Sequence, residues 1–265
     1  MKAGSFSLGR MLRVAALLAI CTLLWQRRPH SFPIVHPSTP VSSDTPDARV
    51  SKTRESIRIG SEIRDYVLAR PVMLEPGATY PVLVGFHGYR GEVKAWFHEY
   101  TAFDRLVAER KFIIAYPEGP IAWDARNDGR DLPFFDALVA ELQKNFPIDP
   151  ARIHVVGHSN GGNFATFLLA ARADVIASGA VQAGAHLPPA KTPSAHRPPL
   201  LLMWGESDGA ARTVESAAKQ YRAGGFMVEP LVFSGLGHSW GGPAYQVEER
   251  VLDFFKAHPF SGGAL

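Results

Sequence analysis

The sequence predicts one α/β domain in which a mostly parallel sheet carries helices on both faces. Short apolar runs alternate with amphipathic segments along most of the chain, as in strand–helix repeats. A chain of 265 residues with 46% hydrophobic residues can build one sizeable core. A serine flanked by glycines also stands between an apolar run and a helix-like stretch, which is typical of a strand–turn–helix unit.

The predicted elements start with a polar, alternating stretch that favours a hairpin, and continue as apolar strands and amphipathic helices. Turn-forming residues separate these segments. In chain order we predict a hairpin over 56–71, a strand over 81–87, a helix over 95–110, a strand over 111–116, a helix over 132–145, a strand over 153–156, a helix over 163–171, a strand over 175–182, a strand over 199–204, a helix over 211–222, a strand over 230–233 and a closing helix over 244–258.

Ser159 is the predicted nucleophile. It lies in the run Gly-His-Ser-Asn-Gly-Gly over 157–162, directly after the strand predicted over 153–156. A serine on so sharp a turn needs small residues two positions to either side, and Gly157 and Gly161 meet that need. The turn also directs the backbone N–H of Asn160 out of the next helix, where it would stabilise an oxyanion.

Asp208 and His238 complete a predicted triad with Ser159. Asp208 follows the strand predicted over 199–204, and His238 lies in a glycine-flanked loop after the strand over 230–233. The order serine, acid, histidine is the one used by strand–elbow–helix hydrolases. Histidine suits proton transfer in both directions, and the carboxylate would hold its tautomer. Glu206 is the competing acid, with a solvated loop carboxylate as its alternative.

Tyr89 supplies the predicted second oxyanion donor through its backbone N–H. It follows His87 and Gly88 at the end of the strand predicted over 81–87, and the glycine allows a sharp turn there. A plain strand-to-helix turn is the alternative. Trp240 and Trp123 are candidates for apolar or aromatic substrate contacts, with packing in the core or at the rim as the alternative for both.

These motifs resemble the α/β-hydrolase family that contains polyhydroxybutyrate depolymerases and feruloyl esterases, also described as LpqC-like esterases. The resemblance spans about residues 56–255 and implies an α/β-hydrolase fold and a serine esterase. The stretch 184–199 is too short for a full helical cap, which predicts a fold without a large cap domain and an open cleft. The matching segments are 86–88 (Phe-His-Gly), 135–139, 148–153 (Ile-Asp-Pro-Ala-Arg-Ile), 157–162, 205–208 (Gly-Glu-Ser-Asp) and 237–240 (Gly-His-Ser-Trp).

The N-terminal region is predicted to be a separate unit. Residues 14–25 form an apolar run after basic residues, as in a signal peptide, so residues 1–28 are expected either to be cleaved on export or to remain as a membrane anchor. Residues 29–55, rich in proline, serine and threonine, are predicted to be a disordered linker to a catalytic domain over 56–260. The enzyme would then be periplasmic or extracellular.

Charge and composition exclude other classes of function. Residues 1–55 hold eight Lys or Arg and three Asp or Glu, so of the total net charge of +3 the rest of the chain carries −2. No nucleic-acid partner is therefore expected. No Cys or His cluster has metal-ligand spacing, so neither a metal nor a cofactor is predicted.

The predicted function is carboxylic ester hydrolysis through an acyl-enzyme. The resemblance implies aromatic, feruloyl-type esters or short-chain hydroxyalkanoate esters, as small molecules or polymers. A serine peptidase or thioesterase would use the same machinery and stays open as an alternative. A catalytically silent fold that serves as a binding module is the more distant one.

Overall fold

The computed structural model describes residues 32–38, 47–89, 97–119, 121–188 and 196–260. The chain divides into two units, Met1–Pro33 and Ile34–Leu265, and all helices and strands given below belong to the second. The leader predicted over 1–28 lies outside the described residues. Within the described ranges, every helix is too short or too polar to span a bilayer.

A mixed sheet of nine strands forms the centre of the described structure, with the order β1-β9-β8-β7-β6-β4-β5-β3-β2. Strands β4 to β9 are parallel where they pair, whereas β3 is antiparallel to both β2 and β5. The predicted mostly parallel sheet is thus confirmed. The strands are β1 Ile34–Val35, β2 Val50–Ile59, β3 Glu62–Pro71, β4 Tyr80–Phe86, β5 Ile113–Pro117, β6 Ile148–His158, β7 Ser178–Gln182, β8 Leu200–Gly205 and β9 Val228–Phe233.

Helices cover both faces of the sheet because alternate residues of the buried strands face opposite ways. Phe86 of β4 packs against Phe135 and Phe164, whereas Leu83 belongs to the cluster on the other face, which includes Phe103 and Val251. The helices are α1 Phe97–Tyr100, α2 Phe103–Arg110, α3 Asp131–Asn145, α4 Asn160–Ala171, α5 Ala211–Ala223 and α6 Val247–Ala257, and Gly242–Tyr245 forms a 3₁₀ turn.

Two predicted helices are interrupted in the structure. The helix predicted over 95–110 breaks between α1 and α2, because the Thr101 hydroxyl donates to the Phe97 carbonyl and the Ala102 N–H donates to the Glu248 carboxylate at 2.8 Å. The closing helix predicted over 244–258 begins only at Val247, since Gln246 has a left-handed backbone with φ 52°. Residues 95 and 96 lie outside the described part of the chain.

The linker predicted over 29–55 contains two strands. Ile34–Val35 pairs in parallel with Val232–Phe233, and β2 begins at Val50 rather than after residue 55. β2 is an edge strand whose exposed face is polar, so its composition resembles that of a linker although each of its residues has a register partner in β3. Residues 39–46 lie outside the described residues.

Candidate active site

Ser159 occupies the sharp turn between β6 and α4. Its backbone angles are φ 53° and ψ −116°, a conformation that L-residues rarely adopt. The Ser159 N–H donates to the Gln182 carbonyl at 2.8 Å, and the Ser159 carbonyl accepts from the Asn163 N–H at 3.0 Å. Hydrogen bonds on both sides therefore hold the strained residue in place.

The two glycines that flank this turn are required by close backbone contact. A Cβ atom on Gly157 would overlap the backbone of Gly161, and a Cβ atom on Gly161 would overlap the carbonyl oxygens of Phe86 and His87. The strand, the turn and the neighbouring strand can approach one another only because these two side chains are absent.

Ser159, His238 and Asp208 lie in one chain of hydrogen bonds. The Nε2 atom of His238 is 2.8 Å from the Ser159 Oγ atom, and its Nδ1 atom is 3.0 Å from both carboxylate oxygens of Asp208. Only 1% of the Asp208 side chain is exposed, compared with 47% of the His238 side chain. A proton on Nδ1 facing the carboxylate leaves Nε2 free to accept the serine proton.

Glu206, the competing acid, faces a different part of the molecule. Its carboxylate accepts hydrogen bonds from the Ser234 hydroxyl at 3.1 Å and from the Gly235 N–H at 3.2 Å. It thus holds the start of the loop that carries His238, whereas the carboxylate on the imidazole is that of Asp208.

The backbone segments of the two predicted oxyanion donors both lie beside Ser159. Asn160 is the first residue of α4, where helical N–H groups have no partner within the helix. On the other side, a Cβ atom on Gly88 would be 3.4 Å from the Ser159 Cβ atom, so the loop that leads to Tyr89 runs against the serine. The Gly88 N–H donates to the Tyr100 hydroxyl at 3.0 Å and fixes this loop.

An open cleft of about 720 Å³ lies next to Ser159. Tyr89 forms part of its wall with an exposed side chain, and Trp240 contributes to the wall although it is 3% exposed. The described residues that line the cleft are Gly88, Tyr89, Tyr100, His158, Ser159, Leu236, His238, Ser239, Trp240, Gly241, Gly242 and Pro243.

Trp123, the other tryptophan predicted to contact substrate, lies in the core instead. It is 5% exposed, its ring stacks on Phe164 at 5.4 Å, and its indole N–H donates to the His87 carbonyl at 2.9 Å. It is not among the described residues that line the cleft. The reason is that its loop folds back beneath the elbow, where the Trp123 N–H donates to the Asn160 side chain.

Sequence reasoning missed two buried polar residues that hold the histidine loop. Gln182 donates from Nε2 to the Ser239 carbonyl at 2.5 Å, and Glu248 accepts the indole N–H of Trp240 at 2.7 Å. Burial raises the pKa of Glu248, although the hydrogen bonds from Ala102 and Trp240 oppose that shift. An isolated glutamine at a strand end and a glutamate in a first helical turn carry no signal that could have revealed these contacts.

His158 adds a second imidazole to the site. Its ring centroid is 5.5 Å from that of His238, and burial, followed by the nearby His238, lowers the pKa of His158 to about 4. His158 is therefore neutral near pH 7, so it places no second positive charge beside His238.

Two curated relatives with limited similarity are acetylxylan esterases by name. The chain is 27% identical over 165 residues to a bifunctional acetylxylan esterase/xylanase of Neocallimastix patriciarum, covering 60% of this chain and 24% of that protein. It is 27% identical over 114 residues to an acetylxylan esterase of Coprinopsis cinerea, covering 39% and 30% respectively. These matches thus span less than a third of either relative. No family model matches the chain.

Solved structures share the fold at low sequence identity. An S-formylglutathione hydrolase from Staphylococcus aureus has a TM-score of 0.62 at 14% identity, covering 78% of this chain and 99% of that one. A ferulic acid esterase has a TM-score of 0.61 at 17% identity, covering 79% and 98%. An acylaminoacyl peptidase from Pyrococcus horikoshii has a TM-score of 0.66 at 16% identity, covering 82% and 43%.

The fold is therefore the α/β-hydrolase fold, as the motifs predicted. The predicted resemblance to esterases is likewise confirmed, since both curated relatives and one of these structures are esterases by name.

Proposed function

We propose that this protein is a serine carboxylic ester hydrolase that works through an acyl-enzyme. The observation that carries the proposal is the continuous set of hydrogen bonds from Asp208 through His238 to Ser159, at the head of an open cleft. This is the arrangement that acyl transfer needs: a nucleophile, a base that reaches it, and a carboxylate that orients the base.

In the proposed acylation, the Ser159 Oγ atom forms a bond to the ester carbonyl carbon while its proton moves to His238 Nε2. The carbonyl oxygen becomes an oxyanion, which the backbone N–H groups of Asn160 and Tyr89 stabilise. Asp208 keeps the imidazole oriented and stabilises its positive charge. When the tetrahedral intermediate collapses, the bond to the alcohol oxygen breaks and the alcohol takes the proton from His238.

Deacylation repeats these steps with water. His238 removes a proton from a water molecule, whose oxygen attacks the acyl carbon, and the same two N–H groups again stabilise the oxyanion. The bond to the Ser159 Oγ atom then breaks, the serine recovers its proton from His238, and the carboxylic acid leaves.

Aromatic, feruloyl-type esters and short-chain hydroxyalkanoate esters are the substrates we propose. Tyr89, Leu236 and Trp240 give the cleft an apolar and partly aromatic wall, which suits an aromatic or aliphatic acyl group. The acetylxylan esterase relatives add acetyl esters on a polysaccharide as a third class. An open cleft can admit any of these as part of a polymer.

Peptidase or thioesterase activity is the alternative on the same fold, because amide, thioester and ester attack share this machinery. A catalytically silent binding module is the further alternative. The strained backbone of Ser159 argues against it, since strain of this kind is costly and persists where it serves a function.

The test is the turnover of p-nitrophenyl butyrate by the full chain, with methyl ferulate, a hydroxybutyrate oligomer and acetylated xylan as further substrates. Ser159→Ala should abolish turnover without unfolding the protein. Asp208→Asn should lower kcat about 10⁴-fold, as the equivalent change does in serine proteases. Glu206→Gln is the matched comparison, because it removes the competing acid, whose carboxylate accepts from Ser234 and Gly235, and its kcat should stay well above that of Asp208→Asn.

A rate in Asp208→Asn within tenfold of the wild-type rate would contradict the acid assignment. Turnover of an anilide or thioester with none of any ester would favour the alternative, and no turnover by folded wild-type protein would favour the binding module. We propose that residues 1–28 direct export, which N-terminal sequencing and cell fractionation would test.

A further inference from the structure

We propose that Trp123 is a positioning residue that sets the separation of the two oxyanion donors. Trp123 lies in the loop between β5 and α3, outside the segments that carry the nucleophile, the base and the acid. This inference rests on the proposed function, because it concerns the N–H groups of Asn160 and Tyr89 in that reaction.

Trp123 forms one hydrogen bond to each of the two segments that would supply an oxyanion donor. Its backbone N–H donates to the Asn160 Oδ1 atom at 2.7 Å, and its indole N–H donates to the His87 carbonyl at 2.9 Å. The first bond holds the residue whose own N–H is one donor. The second holds the loop two residues before Tyr89. One residue, through its backbone N–H and its indole N–H, therefore bridges the segments that follow two neighbouring strands, β4 and β6.

The ring of Trp123 is itself fixed on several sides. It stacks on Phe164 with an interplanar angle of 14°, and Phe86 meets it edge-on at 5.1 Å. The His87 ring lies 4.9 Å away. Because protein cores are closely packed, the indole N–H has little freedom to follow a shift of the His87 carbonyl.

A buried ion pair fixes the loop that carries Trp123. The Asp124 N–H donates to one oxygen of Asp131 at 2.7 Å, and Arg64 donates to the other at 2.9 Å. Asp131 is fully buried and Arg64 almost so, and the Arg64 guanidinium lies 4.3 Å from the Phe134 ring centroid. The loop is thus fixed by these contacts. Trp123 therefore holds the Asn160 side chain and the His87 carbonyl in fixed positions.

Positioning and simple packing predict different effects when the indole N–H is removed. Phenylalanine fills much of the volume and keeps an aromatic face for Phe164, but it cannot donate to the His87 carbonyl. If Trp123 only packs, Trp123→Phe lowers stability and leaves the kinetics unchanged in the folded protein. If it positions the donors, stabilisation of the transition state falls while ground-state binding does not.

The experiment compares wild type, Trp123→Phe and Tyr221→Phe with p-nitrophenyl butyrate as substrate. We expect kcat of Trp123→Phe to fall roughly 10- to 100-fold, with KM within about threefold of wild type, because small displacements at a reacting centre carry costs of this size. Binding of an aliphatic trifluoromethyl ketone, which forms an oxyanion on the serine, should weaken in parallel with kcat. Tyr221→Phe is the matched control, since it removes a buried hydroxyl that donates to the His186 carbonyl at 2.7 Å.

A kcat within twofold of wild type, or ketone binding that does not change, would overturn the proposal. If Trp123→Phe does not fold, Asn160→Ala removes the other bond and leaves every backbone N–H in place, and the same fall in kcat and ketone affinity is expected of it. If neither variant shows a fall in kcat and ketone affinity while Ser159→Ala is inactive, the positioning role is refuted and the proposed esterase function is kept. Absence of ester turnover in wild type would refute both.

Discussion

The Ser159 Oγ atom and the His238 Nε2 atom are 2.8 Å apart, yet the two residues are held in place by different kinds of contact. On the elbow side, Ser159 is fixed by main-chain contacts: two glycines without room for a Cβ atom and two backbone hydrogen bonds. On the histidine side, His238 lies in a half-exposed loop that buried side chains of other elements hold. Asp208 bonds to its ring, Gln182 to Ser239 and Glu248 to Trp240.

The two residues differ in the range of the contacts that hold them: those at the elbow are short-range or reach the neighbouring strand, and those at the histidine loop come from distant parts of the chain. Main-chain contacts at the elbow involve residues within a short stretch and the neighbouring strand, so a glycine pattern is enough to specify them. The side chains that hold the histidine loop come from β7, from the loop after β8 and from α6, which are separated along the chain. We therefore expect substitutions of the elbow glycines to lower stability, and substitutions of the buried side chains that hold the histidine loop to lower kcat.

The largest of the three effects that test this comparison is that of Gly161→Ala on stability. The added methyl group would overlap the Phe86 and His87 carbonyl oxygens, and neither backbone can move without opening the sheet. We expect a loss of more than about 3 kcal/mol and a fall in Tm of about 10 °C or more, measured by thermal unfolding followed by circular dichroism.

The matched control for Gly161→Ala is Gly237→Ala on the histidine side. A Cβ atom on Gly237 has no heavy atom within 4 Å, and its backbone φ lies outside the left-handed region. Its Tm should stay within about 2 °C of wild type, since alanine there adds no clash. Equal losses of Tm in the two variants would remove the distinction between the two halves of the site.

The second-largest effect is the fall in kcat expected for Gln182→Leu. Leucine keeps most of the buried volume but leaves the Ser239 carbonyl without its donor, so the loop that carries His238 becomes less well placed. We expect kcat to fall roughly 10- to 100-fold, with KM within about threefold of wild type, in steady-state kinetics with p-nitrophenyl butyrate.

Gln220→Leu, on the exposed face of α5, is the control for this substitution. It loses an amide of the same size that bonds to Ser216 on the same helix, and its kinetics should match those of wild type. The idea that side chains place the histidine would fail if Gln182→Leu kept its kcat and lost only Tm.

The sequence predicted the parts of the site whose cause is local. The positions of Ser159, Asp208 and His238 follow from a glycine pattern and from loops at strand ends, and the structure brings all three together. Trp123 was predicted to contact substrate but lies in the core, because the direction of its loop depends on the pair of Asp131 with Arg64, and Arg64 lies on β3, far away in the sequence. β1 was missed because two residues that pair only with β9 have no periodicity of their own.

The smallest of the three effects is the pH dependence of the stability difference between Glu248→Gln and wild type. Burial raises the pKa of this carboxyl, so the folded protein keeps the proton at a pH where the unfolded chain has released it. The stability due to this proton is complete below the ordinary glutamate pKa and is lost as the pH rises through the raised value.

Glutamine at position 248 cannot ionise, and its carbonyl oxygen can still accept from Ala102 and Trp240. The Tm of the variant relative to wild type should therefore increase with pH. A Tm difference for Glu248→Gln that stays flat or falls with pH would contradict a raised pKa of Glu248 in the folded protein.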